Sequence, residues 1–225
     1  MMPSISAVGL NRDNASDWDA LNNESRYGSL YHGTLWIDTL EASLGLNSYC
    51  FMVYRDGEPA ALCPLFETQL RGFRGLATLP ESDLSHLIVR DPSDTELMGA
   101  IAQHIRRTAK ERRSAFVVLT FPDQAVMDAF NDGSGPMGMA LPYMRNGNMS
   151  LDMNELSPKD IWDNVFSAKD AQRKYIRRFE RSGFGLRETR SEDDLRRFHA
   201  LYSENLVEKG ATPYNHMHFE HLLRN

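Results

Sequence analysis

The feature that most restricts this chain is a pair of apolar runs joined by a two-residue turn. Tyr49-Cys50-Phe51-Met52-Val53-Tyr54 passes through Arg55-Asp56-Gly57-Glu58 into Ala60-Ala61-Leu62-Cys63-Pro64-Leu65-Phe66. Asp-Gly accepts the positive φ angles of a tight turn, so the runs predict a β-hairpin. Pro59 and Pro64 then belong where no ladder N–H is needed. A turn at Asp56-Gly57 would set Cys50 opposite Cys63. Two cysteines are too few for a disulfide framework, and they read as reduced, packed thiols.

Helices and strands alternate around the hairpin. Asp17 to Leu21 and His32 to Leu44 read as helices, the second stopped by Gly45. Gly75 to Leu79 predicts a third strand, followed by the loop Pro80-Glu81-Ser82-Asp83. From Asp94 to Arg113 the chain is amphipathic, with Leu97, Ile101, Ile105 and Ala109 on one face. Ala115 to Phe121 is a buried strand stopped by Pro122, and Met127 to Phe130 belong to a short helix after Asp123. Gly133-Ser134-Gly135-Pro136 breaks the chain before a last strand at Asn148 to Met153. Residues 1–152 are therefore expected to form one α/β domain around a mixed sheet flanked by helices.

Residues 153–225 read differently. Ser157-Pro158-Lys159-Asp160 is a helix start, and a helix from Asp170 to Arg181 stops at Gly183. A short strand at Phe184 to Glu188 leads to the capping box Ser191-Glu192-Asp193-Asp194, a helix to Glu208, and a further helical piece from Pro213. This part lacks strands for a sheet of its own. It either packs on the first domain or opens a longer architecture.

The composition, 41% hydrophobic and 25% charged, is that of a soluble globular chain. No apolar run approaches the roughly 18–20 residues of a membrane span. The start has no basic, apolar leader, so the expected location is the cytoplasm. A formal net charge of -6 argues against a general polyanion or DNA binder. One stretch departs from that average: Lys169 to Arg190 holds eight basic residues against three acidic ones. Lys169, Arg173, Arg177 and Arg181 are spaced by four, which places them in one helical stripe with Arg178 beside it. Arg favours bidentate phosphate contacts, so the stripe reads as an anion site or as a solvated face balanced by Asp160, Asp163 or Glu192. Tyr175 and Phe179 on the same helix read as core residues or as base-stacking surfaces.

Several chemistries have no motif here. G-x-x-x-x-G-K-[ST], G-x-S-x-G, C-x-x-C and H-E-x-x-H are all missing, and no metal site is expected. His216, His218 and His221 read as an exposed helix face. Asp83, on a loop after a strand, is a candidate proton acceptor or a turn-forming residue. His32 and Trp36 open a helix and are expected near Asp83 at a concave surface, with Trp36 as core or ligand contact.

Four segments together carry a resemblance: Leu30-Tyr31-His32-Gly33-Thr34-Leu35-Trp36, the hairpin through Pro64-Leu65-Phe66, Leu79-Pro80-Glu81-Ser82-Asp83, and Arg173 to Phe184. In this order they resemble the Fem family of FemA-, FemB- and FemX-type aminoacyltransferases, which build peptidoglycan bridges and include methicillin-resistance-type proteins. The resemblance implies tandem acyl-CoA N-acyltransferase (GNAT)-like domains, here 1–152 and the helical start of a second in 153–225. It implies transfer of an aminoacyl or acyl group to an amine of an anionic cell-wall precursor. The donor would be aminoacyl-tRNA or acyl-CoA, with no tightly bound cofactor and with transient membrane-surface contact. Asp83 would act as base; His32, Trp36, Lys169, Arg173, Arg177, Arg178 and Arg181 would bind substrate. The rival expectation is a non-catalytic module that holds RNA or an anionic precursor through the basic helix 169–181.

Overall fold

The structure, a computed structural model, describes residues 4–135, 156–166 and 171–224. The chain divides into two compact units, one comprising Met1–Gly138 with Glu192–Asn225 and the other Met139–Ser191. This differs from the expected division at residue 152. The last helices have no sheet of their own, and they complete the first unit by covering one of its helices.

In the first unit, β1 (Ile5–Gly9), β2 (Phe51–Arg55), β3 (Glu58–Cys63) and β6 (Ile88–Val89) form an antiparallel sheet in that order. β4 (Leu65–Leu70) pairs antiparallel with β5 (Phe73–Thr78), which pairs parallel with β7 (Phe116–Val118). Bridges Ser48↔Phe66 and His86↔Thr120 tie the two sheets together. The expected second strand is therefore split at Pro64, whose nitrogen has no proton for a ladder. β1 was not anticipated: Ile5–Gly9 is a short, half-exposed edge strand with little apolar pattern.

The hairpin turns at Asp56 and Gly57, both with positive φ (53° and 89°) as the tight turn requires. Its register slips between Val53 and Tyr54: Tyr54 pairs with Pro59, whereas Val53 pairs with Ala61. The bulge leaves Ala60 as the extra residue beside a proline that cannot donate. Phe51, not Cys50, consequently opposes Cys63, which corrects the expected cysteine pairing. The two buried thiols lie in different core clusters on opposite faces of the strands.

Each face of the sheet is covered. Phe51, Val53, Ala61, Cys63 and Leu76 pack against α3 (Thr95–Glu111) and α4 (Gln124–Ser134) through Leu97, Met98, Ile101, Ile105, Val126 and Phe130. Met52, Leu62, Phe66 and Ile88 pack against α1 (Ala15–Glu24) and α2 (Thr34–Leu44) through Trp18, Leu21, Ile37 and Leu40. Successive β2 residues alternate between these layers, so a wholly apolar run serves both. Asp94 and Asp123 cap α3 and α4 by accepting from Leu97 N (3.0 Å) and Val126 N (2.9 Å). The strand after α3 is shorter than expected and only half-buried, and α4 is longer than the expected short helix.

In the second unit, Ser157 forms a capping box with Asp160 at α5 (Pro158–Asp160), which runs into a π turn, Ile161–Val165. α6 (Ala171–Arg181) ends before Gly183, whose φ is 74°. Phe184 to Glu188 form no strand. The strand expected at Asn148 to Met153 lies outside the described residues.

The first unit closes with α7 (Glu192–Glu208) and α8 (His216–Arg224). Asn215 Nδ2 donates to Ser43 O on α2 (2.9 Å), and Ser43 Oγ meets His218 Nδ1 at 3.0 Å. His218 is thus buried, contrary to the exposed face expected for the three histidines. Among the described residues no helix is long and apolar enough to cross a membrane.

Candidate functional site

β5 runs out at Thr78, and the chain enters the loop that carries Asp83. Leu79 and Glu81 adopt φ angles of 31° and 59°, where side chains crowd the backbone at a cost of about 1–2 kcal/mol each. Three aromatic donors from separate segments brace this turn. Tyr214 OH, between α7 and α8, donates to Glu81 Oε2 at 2.5 Å. Trp36 Nε1, on α2, donates to Ser82 Oγ at 2.8 Å. Tyr31 OH, in the 3₁₀ turn Leu30–His32, donates to Asp83 Oδ2 at 3.2 Å. Ser82 in turn donates to Pro80 O (3.2 Å). Tyr31 and Trp36 meet edge to face, with centroids 5.1 Å apart.

The carboxylates leave a mark on their donors. Tyr214 is pushed up to about 12, first because its hydroxyl donates to Glu81 and then because it is partly buried. Tyr31 is raised by burial and by its bond to Asp83. Asp83 itself is exposed at the surface of the turn. The start of the turn, Pro80 and Glu81 but not Asp83, lines a groove of about 320 Å³ together with Gly45, Leu46, Asn47, Glu67, Thr68 and Gln69.

His32 stands behind this surface rather than in it. It has no exposed area. Nε2 lies 2.9 Å from His86 O and Nδ1 2.8 Å from Ser29 Oγ. A neutral ring satisfies both contacts by donating from Nε2 and accepting at Nδ1. Burial, aided by nearby His86, lowers His32 to about 4. Its carbonyl accepts from Trp18 Nε1 (2.6 Å), and Asp19 caps α2 through Thr34 N (2.9 Å) and Thr34 Oγ1 (2.6 Å). Gly28 fits because a Cβ there would stand 1.8 Å from Asn22 O. His32 therefore anchors the segment presenting Tyr31 and Trp36, and the expectation that it touches substrate does not suit its burial. Trp36 and Asp83 do share one neighbourhood, joined through Ser82.

The basic helix is uneven. The Arg173 guanidinium lies over the Trp162 ring (5.1 Å to the centroid) and donates to the Trp162 carbonyl, while Arg177 lies 5.7 Å from the same ring. Arg178 and Arg181 are exposed, and Lys169 lies outside the described residues. Tyr175 and Phe179 are exposed rather than core. The acidic residues expected to balance the stripe are engaged elsewhere: Asp160 with Ser157, Asp163 with Lys159, Glu192 with Arg196. Among the described residues no group of His, Cys, Asp and Glu could hold a metal ion.

The sequence marks Asp83 and Trp36 as candidates; Glu81, Ser82, Tyr31 and Tyr214, which share the braced turn with them, are not among those candidates. Tyr31 and the two loop residues sit in segments already singled out. Tyr214 carries no local signal, because its partner lies 133 positions away.

The fold matches that of FemX with a TM-score of 0.62, over 97% of this chain at 16% identity. This chain spans about half of FemX, 54% of its length. Weaker likenesses include the aminoglycoside 6'-N-acetyltransferase AAC(6')-IG from Acinetobacter haemolyticus (TM-score 0.43, 10% identity, 64% of this chain and 99% of that one). A ribosomal-protein-alanine N-acetyltransferase from Brucella melitensis biovar Abortus 2308 is comparable (0.41, 14%, 64% and 99%). No protein-family model and no curated protein matches the sequence. The chain thus shares with FemX an α/β fold whose mixed sheet is flanked by helices on both faces.

Proposed function

We propose that this protein is an acyl- or aminoacyltransferase that acts on an amine, with Asp83 as the proton acceptor. The observation that carries the reading is the braced turn: the exposed carboxylate of Asp83 accepts from Tyr31, and its neighbours Ser82 and Glu81 accept from Trp36 and Tyr214, in a fold shared with FemX. The amine nitrogen attacks the donor carbonyl and its proton passes to Asp83. The tetrahedral intermediate then collapses, the carbon–oxygen or carbon–sulfur bond breaks, and the proton leaves with the departing hydroxyl or thiol. Esters and thioesters are already activated, so positioning supplies most of the remaining catalysis. Aminoacyl-tRNA or acyl-CoA serves as donor, and the amine belongs to an anionic cell-wall precursor. Arg178 and Arg181 attract phosphates of donor or acceptor, with Arg177 partly committed to Trp162 and Arg173 more so.

A second reading, a non-catalytic holder of RNA or an anionic precursor, is favoured by one observation: Arg178 and Arg181 share an exposed helix with Tyr175 and Phe179. Transfer of labelled aminoacyl groups from charged tRNA, and of acetyl from acetyl-CoA, onto a precursor stem-peptide amine separates the two. The transferase reading expects turnover with one donor, lost by about 100-fold or more in Asp83→Asn. Salt-sensitive binding without turnover from either donor would leave the binding module standing instead.

A further inference from the structure

Glu81, Ser82 and Asp83 are consecutive, and each is gripped by an aromatic donor, Tyr214, Trp36 and Tyr31 respectively. Tyr214 comes from the greatest distance along the chain and is itself held at several points. Its N–H donates to the Tyr202 hydroxyl at 3.3 Å, its carbonyl lies 3.0 Å from His199 Nε2, and its ring stacks at a tilt on His218, 4.7 Å between centroids. The hydroxyl is thereby aimed at Glu81, the residue with the left-handed backbone. α8 is fastened to α2 through Ser43, Asn215 and His218, and α2 also supplies Trp36. One helical frame thus holds residues 81 and 82 together.

We infer that Tyr214 is a positioning residue, which acts through Glu81 to fix where Asp83 meets the acceptor amine. The inference rests on the reading of Asp83 as the base. Removing the hydroxyl frees a strained residue two places from the carboxylate, and the turn relaxes toward ordinary backbone angles. Asp83 then spends less time in the reactive geometry, which lowers kcat and leaves acceptor affinity nearly unchanged. Because the donor stays protonated well above neutrality, the grip persists throughout the working pH range.

Tyr214→Phe removes the oxygen and keeps the ring. Expected are a roughly tenfold lower kcat, an acceptor KM within about twofold, a melting temperature within about 4 °C of the parent, and faster amide hydrogen exchange confined to residues 80–84. Glu81→Ala should reproduce these effects, the double variant should add nothing further, and Glu81→Gln, which still accepts a hydrogen bond, should lose less. Unchanged kcat and exchange in Tyr214→Phe, with Asp83→Asn inactive, would overturn the inference and leave the transferase reading intact. Full transfer in Asp83→Asn would overturn both the base assignment and the catalytic role of Tyr214. A kcat loss accompanied by a melting temperature lowered by more than about 4 °C and exchange spread over α7 and α8 would show a purely structural residue.

Discussion

The acidic turn at residues 79–83 and the basic helix α6 are opposites in more than charge. The turn carries few charges, yet each of its polar side chains from 81 to 83 is tied to a donor from another segment. α6 carries five basic residues against one acidic, but Arg178, Arg181, Tyr175 and Phe179 are exposed, and Arg173 and Arg177 are drawn to Trp162. A run of charge shows where a polyanion could be attracted. Restraint shows where a reacting group could be held, and catalysis by positioning needs the second.

That contrast is most sharply tested by removing aromatic rings. Trp36→Ala takes away the edge-to-face contacts with Tyr31 and His218 and the bond to Ser82. It should cost about 3 kcal/mol, measured by denaturant unfolding. Tyr175→Ala on α6 should stay within about 0.5 kcal/mol. Equal losses would erase the distinction.

Acid tests the scaffold behind the turn. The folded state holds His32 at about 4, against roughly 6.5 for a free histidine, so below that free value the unfolded chain binds the extra proton. Stability that is complete above about pH 6.5 should therefore fall as pH drops toward 4, by up to about 3 kcal/mol for this group. His86, lowered by burial, adds to the loss in the same direction. A His32→Gln variant should show a flatter dependence in melting temperatures from pH 7 to 4.5; an equally steep one would assign the acid sensitivity to other groups.

Smaller effects sharpen the picture. Tyr31→Phe removes one exposed-side hydrogen bond to Asp83 and should cost about 1 kcal/mol, with faster exchange at the turn. Arg178→Gln with Arg181→Gln should change stability by less than about 0.5 kcal/mol while reducing the salt dependence of polyanion binding. A markedly lower melting temperature for that pair would mean the arginines support the fold.

What could be read from the sequence follows from how local each signal is. The Asp56-Gly57 turn and the Leu97, Ile101, Ile105 face of α3 depend on neighbours within a few residues, and both stand as expected. The cysteine register missed by one position because Pro59 causes a bulge, and a bulge leaves no mark in a pattern that is apolar on both faces. Asp83 was visible as an acid on a loop. Its brace was not: Trp36 reaches Ser82 across 46 positions and Tyr214 reaches Glu81 across 133, distances that only the assembled fold closes. His218 was misjudged for the same reason, since Ser43 on α2 is its partner.

The central claim is that the braced turn performs the chemistry and the basic helix only attracts charge. Steady-state transfer kinetics of Asp83→Asn beside Arg178→Gln/Arg181→Gln, with one donor and one anionic amine acceptor, test it directly. The account predicts that Asp83→Asn loses about 100-fold or more in kcat with KM nearly unchanged, whereas the arginine pair raises KM and keeps kcat within about threefold. The reverse pattern, a collapsed kcat in the arginine pair and an active Asp83→Asn, would contradict it.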